Sequence, residues 1–237
     1  MKTLKIALLA AVGSLALAGA ANAQDSDTKI SFNVGANNDY VFRGVSQTNE
    51  DLSIFGGVDA SFMGIGYAGA WLSNVEFPNA AGRSDGTDFE FDLYAGVKPT
   101  LGAVTFDLGV IYYGYADQPS GANYDYWEGK VAASIPAGPV TLGAALFYSP
   151  EFFGKTGDAV YSEVNFSTAI PDSKFSVSGA LGYQQVQGPL DYMTWNAGIG
   201  YAFTDNLSAD LRYIDTDSHS FGKNYGSRLV GGLKFVF

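Results

Sequence analysis

Hydrophobic and polar positions alternate along most of this chain. Phe89, Phe91, Leu93, Ala95 and Val97 interleave with Asp88, Glu90, Asp92, Tyr94, Gly96 and Lys98. Val104, Phe106, Leu108, Val110 and Tyr112 do the same with Thr105, Asp107, Gly109, Ile111 and Tyr113. At the end, Leu229, Leu233, Phe235 and Phe237 share one parity, and Val230, Gly232, Lys234 and Val236 the other. A period of two is the signature of a strand with one apolar face. The pattern predicts twelve strands, at 30–46, 51–62, 65–74, 87–98, 103–115, 123–135, 140–149, 159–170, 175–186, 191–203, 207–215 and 225–237. Most match the roughly 9–11 residues that a tilted strand needs to cross a bilayer, and exceed the usual strand of about 5–6.

The connections sort by length. Met63-Gly64, Pro99–Gly102, Pro136–Pro139, Pro171–Lys174 and Thr204–Asn206 read as tight turns. The segments 47–50, 75–86, 116–122, 150–158, 187–190 and 216–224 alternate with them and include the longer ones. Short turns at one end and longer loops at the other are the habit of outer-membrane barrels with both termini in the periplasm. The fold expected is therefore all-β, a transmembrane antiparallel up-and-down β-barrel.

Volume decides which parity faces out. A barrel of about eight strands is already filled by its side chains, so Leu and Val could not fill twelve. The apolar parity should meet lipid and the polar parity water. The midsections of the apolar parity carry no charge, as expected where Arg or Lys at the bilayer midplane costs about 2–4 kcal/mol. Aromatic residues should form two interfacial bands. Tyr40, Trp71, Tyr112, Trp127, Tyr148, Tyr183, Tyr213 and Tyr225 fall toward the long loops, and Phe62, Tyr201, Phe203 and Phe235 toward the short turns.

The front of the chain supplies an address. Lys2 and Lys5 precede an apolar run from Ile6 to about Ala18, followed by Ala21-Asn22-Ala23. This reads as a secretory signal peptide over residues 1–23, leaving 24–237 as one barrel domain. The segment carries two lysines and no acid, so its removal takes the formal charge from −11 to −13. An acidic chain without clustered Lys and Arg is a poor partner for nucleic acid. The absence of cysteine excludes disulfides and thiolate chemistry, and no cofactor or metal site is expected.

The run Asn38-Asp-Tyr-Val-Phe-Arg-Gly-Val-Ser-Gln-Thr48 resembles the opening signature of the TorF family of outer-membrane porins. The similarity continues in Gly56–Asp59, Ile65–Asn74, Asp92–Gly96 and Gly109–Tyr115, and is densest before about residue 135. The resemblance implies an outer-membrane β-barrel of a Gram-negative bacterium, and brings no known substrate.

Any chemistry should then lie in the lumen. Parity points Asp39, Asp59, Asp88, Glu90, Asp92, Asp107, Glu128, Glu163 and Asp210 inward, with Arg43, Lys98, Lys130, Arg212, Arg228 and Lys234. The acidic excess suggests a weak cation preference; pairing of these charges across strands to stiffen the wall is the competing reading. Arg43 is expected near the mouth of strand 1, as a constriction residue or as a partner of Asp39 or of the strand-12 charges. Tyr94, Tyr113, Tyr126, Tyr161 and Gln184 should narrow the pore. The loops look too short for a large folded plug. His219, within Asp215–Ser220, raises a lipid-hydrolase reading, and Asp215 with Asp217 a cation site. Leu233, Phe235 and Phe237 resemble the terminal signal read by the outer-membrane assembly machinery. The function expected is a non-enzymatic porin-like channel for ions or small solutes, with a closed structural or adhesive barrel as the alternative.

Overall fold

The computed structural model describes residues 28–79 and 81–237. The predicted signal peptide lies outside them. Twelve long strands follow one another: β1 Thr28–Asn37, β2 Ser53–Phe62, β3 Gly66–Asn74, β4 Phe89–Val97, β5 Val104–Ala116, β6 Tyr126–Ala137, β7 Val140–Ser149, β8 Ala159–Ala169, β9 Phe175–Val186, β10 Tyr192–Ala202, β11 Leu207–Thr216 and β12 Arg228–Val236. Each pairs antiparallel with its sequence neighbours, and β12 pairs with β1, from Asn33 opposite Val236 to Asn37 opposite Gly232. The sheet thus closes on itself and leaves no unpaired edge. Phe237 extends the seam by exchanging backbone hydrogen bonds with Phe32, at 2.9 Å and 2.8 Å.

The wall is inside-out relative to a soluble protein. Leu93, Leu108, Val110, Val131, Leu146, Val164, Ile199, Leu211, Leu229 and Leu233 are exposed on its outer surface. Their neighbours of the other parity, such as Glu90, Glu128, Lys130, Asn196 and Arg212, are buried in the lumen. This is the orientation the volume argument requires. Among the described residues, no helix is long and apolar enough to cross a membrane.

Trp127, Tyr148, Tyr183 and Tyr213 lie exposed on the outer face toward the long-loop end, where the sequence placed them. Three expected girdle residues are elsewhere. Trp71 stands on the inward parity of β3, between outward Ala70 and Leu72, with its ring 5.2 Å from that of Tyr40. Tyr40 is off the wall altogether, and Tyr225 packs within the last loop against Tyr192 and Phe221.

The main departure from expectation is at the end of β1. The predicted first strand ran to residue 46, but the wall strand ends at Asn37. Residues 38–52 turn into the barrel and form a small hairpin, Val41–Phe42 against Val45–Ser46. Its two central residues, Arg43 and Gly44, have φ of 49° and 86°, as a type I′ turn demands. Asp39 and Arg43 therefore belong to an inserted loop and not to the wall. The loops are too short for a large folded plug, as expected, but this small hairpin enters the lumen, which alternation did not foresee.

Candidate functional site

The lumen has two unlike halves. Toward the short turns its lining is small and polar: Ser31, Asn33, Ser178, Asn196 and several glycines. Charged groups there are held by ion pairs or by neutral donors. Asp107 accepts from Lys130 at 2.7 Å, with Lys98 at 3.6 Å, and from the Tyr67 hydroxyl at 2.7 Å. Arg212 bridges Asp210, Asn196 and Ser178 at 2.6–3.2 Å. Glu163 accepts from Tyr161 and Asn165, and Asp59 from Tyr94 and Asn33. Cross-strand pairs of this kind stiffen a wall.

Toward the long loops the lumen is filled. Tyr113, Tyr115, Tyr126, Phe147 and Tyr161 are all buried and form a continuous apolar cluster with Val75, Tyr94 and Ile111. Phe77, Tyr124, Phe152 and Phe153, from three different loops, roof it over, with Tyr124 and Phe153 stacked at 4.2 Å. Tyr124 also donates to Asp85 at 2.7 Å; burial and that bond push its hydroxyl up to about 12, so it stays a donor at neutral pH.

The inserted hairpin crosses this filled half. Arg43 sits at its tip, 3% exposed, and its guanidinium spans to the far wall. It makes a bidentate contact with Glu128 on β6, at 2.6 Å and 2.8 Å, and donates to Gln184 on β9 at 3.0 Å. The rings of Phe42, Phe147 and Tyr161 surround it at 4.4–4.9 Å. A planar, always-charged fork suits a buried carboxylate partner and flat rings better than Lys would. The sequence reading offered Asp39 or the strand-12 charges as its partner; the structure gives Glu128.

Asp39 holds the base of the hairpin instead. It accepts from Ser46 and Thr48 within the segment and from Arg228 on β12 at 2.9 Å. Gly44 fits closely under the turn: a β-carbon there would collide with Thr194 and Thr216. Hence the Arg-Gly pair serves two needs, positive φ at both positions and room at one.

Glu90 and Asp92 face the same filled half from β4. Glu90 accepts from the Tyr40 hydroxyl at 2.6 Å. Asp88 is exposed at the rim, and Lys234 points into the lower lumen. His219 pairs with Asp215 at 2.7 Å in the last loop, but among the described residues no serine hydroxyl bonds to its ring. No group of three or more His, Cys, Asp or Glu able to hold a metal occurs among them.

The family described as "Bacterial protein of unknown function (Gcw_chp)" matches residues 20–237. No curated protein matches. Among solved structures, the KdgM porin aligns with a TM-score of 0.61 at 10% identity, over 87% of this chain and 99% of that one. The NanC porin aligns at 0.59 and 10%, over 88% and 98%. KdgM has also been solved in complex with disordered oligogalacturonate, and that structure aligns at 0.59 and 10%, over 89% and 99%. The likeness spans whole barrels, and at this identity it concerns the fold.

Proposed function

The chain belongs to the Gcw_chp family, and from its wall and lumen we propose that it is an outer-membrane porin-like channel, passing ions or small solutes in a Gram-negative bacterium. The uncharged apolar belt supports residence in lipid, and the TorF-like opening motif agrees with it. The fold shared with KdgM and NanC supports transport. One observation carries the reading furthest: a separate hairpin is inserted among the wall aromatics that obstruct one half of the lumen, while the other half is lined by small polar residues. A barrel meant only as a structural element could fill its interior from the wall. Here part of the block is a separate segment, fastened at its tip by Arg43 and at its base by Asp39.

Uncompensated charge in the lumen favours cations. In the polar half Asp59, Asp107, Glu163 and Asp210 are matched by Lys98, Lys130, Arg212 and Lys234, so the excess rests on Glu90 and Asp92, which have no basic partner among the described residues. Bilayer recording in a KCl gradient tests this: a reversal potential on the potassium side is expected, and one on the chloride side sinks it.

The packed aromatic half favours a second reading, a closed barrel without conductance. Replacing residues 39–51 by a short Gly-Ser linker separates the two. A channel conducts more without its hairpin; a closed barrel remains silent because the wall-borne tyrosines still fill it.

A further inference from the structure

Two buried carboxylates beside the inserted hairpin are not used by its own latch. Asp92 is 7% exposed. Among the described residues it makes no hydrogen bond and no ion pair, and its Oδ1 is fully buried without a partner. Glu90, two positions along the same strand face, is 2% exposed and has only neutral donors. Arg43, which reaches into the same half of the lumen, is engaged by Glu128. Two carboxylates so placed lack the compensation that buried charge requires.

Their surroundings are aromatic. Trp71 on β3 and Tyr113 on β5 stand directly opposite Asp92 in the two flanking registers, and Tyr115 stands opposite Glu90. Tyr40 covers them from the hairpin, edge-on to Trp71 and bonded to Glu90. Ring faces combined with carboxylates attract organic ammonium ions. A divalent metal would want about six or more oxygen ligands, which this niche does not offer.

We propose that Glu90 and Asp92, walled by Tyr40, Trp71, Tyr113 and Tyr115, form a binding site for an organic ammonium cation. The site lies beside the inserted segment, whose Tyr40 bonds Glu90, so a cationic amine is the solute class that the lumen would hold there. This deepens the channel reading, but binding needs no conduction, so the two fail separately: conductance tests the one, occupancy the other.

Trp71 is a built-in reporter, because the other two tryptophans, Trp127 and Trp195, lie on the outer face. In the folded full chain carrying Trp127→Phe and Trp195→Phe, ethylammonium chloride is titrated against equal concentrations of sodium chloride while emission is followed. A saturable change with ethylammonium and a weak or absent one with sodium is expected. Asp92→Asn should weaken binding by about tenfold or more, the loss of one charge-assisted contact, while Asp205→Asn, in an exposed short turn outside the lumen, should leave it unchanged. Heat-modifiable migration on gels checks that each variant is folded. Should Asp92→Asn fail to fold, Glu90→Gln and the ethylammonium–sodium comparison still decide. Identical responses to the two salts, or undiminished binding in both carboxamide variants, would overturn the assignment.

Discussion

At the scale of single residues, the lumen turns on Arg43. Its ion pair with Glu128 is buried on both sides, and breaking such a pair from one side costs about 3–5 kcal/mol, since the other charge is left stranded. Arg43→Ala should therefore lower the unfolding midpoint of the detergent-folded barrel markedly. Adding Glu128→Gln should recover most of the loss, because the stranded charge goes. Denaturant titration of the four members of the cycle measures the coupling; simple additivity would refute it. Gly44→Ala is a second local test. Positive φ and the collision with Thr194 combine there, and strained backbone at a non-glycine costs about 1–3 kcal/mol. Its effect should be close to that of breaking the latch, and proteolysis within 38–52 should become faster. The motif containing these residues stood out in the sequence, but the identity of each partner did not. Glu128 and Gln184 lie on strands far along the chain, and alternation says which way a side chain points without saying what crosses the lumen to meet it.

At the scale of elements, alternation was sufficient for eleven of the twelve strands, whose ends agree with expectation to within a few residues. It misled at β1. Residues 41–46 keep an extended, alternating pattern because they too form paired strands, only with each other. Two signals marked the break: a predicted strand far longer than a bilayer needs, and an Arg-Gly step where a two-residue turn wants positive φ. Trp71 went astray for a related reason. Alternation in Gly66–Asn74 is blurred by glycine and alanine, so the bulky ring was assigned to lipid when it belongs to the lumen. Face assignment can be tested on β6. Val131 is exposed to the outside, and Ala132 faces in beside Asp107. Val131→Arg should cost about 2–4 kcal/mol near the midplane and deplete the folded form in membranes. Ala132→Arg, able to pair with Asp107, should assemble normally by gel migration. Equal assembly of the two would contradict the orientation.

At the scale of the whole molecule, the barrel combines a continuous wall with an interior divided into a packed half and a polar half. The wall was legible because lipid and backbone pairing dictate it residue by residue. The division was legible only in part: parity turned Tyr94, Tyr113, Tyr126 and Tyr161 inward, but the inserted hairpin depends on where a loop goes after it leaves the sheet. The linker replacement of residues 39–51 belongs at this level, and single-channel conductance above that of the intact chain is the expected result. The hairpin is also fastened to the far end of the sequence. Arg228 clasps Asp39, Lys223 donates to the Asn49 carbonyl, Asn224 to that of Ser46, and Asn38 is tied to Leu229 and Gly231. None of these bonds can form until β12 has arrived beside β1. Assembly is thereby ordered in time: the first loop to be synthesised is the last to be secured, and a barrel caught before completion would have its stopper unfastened.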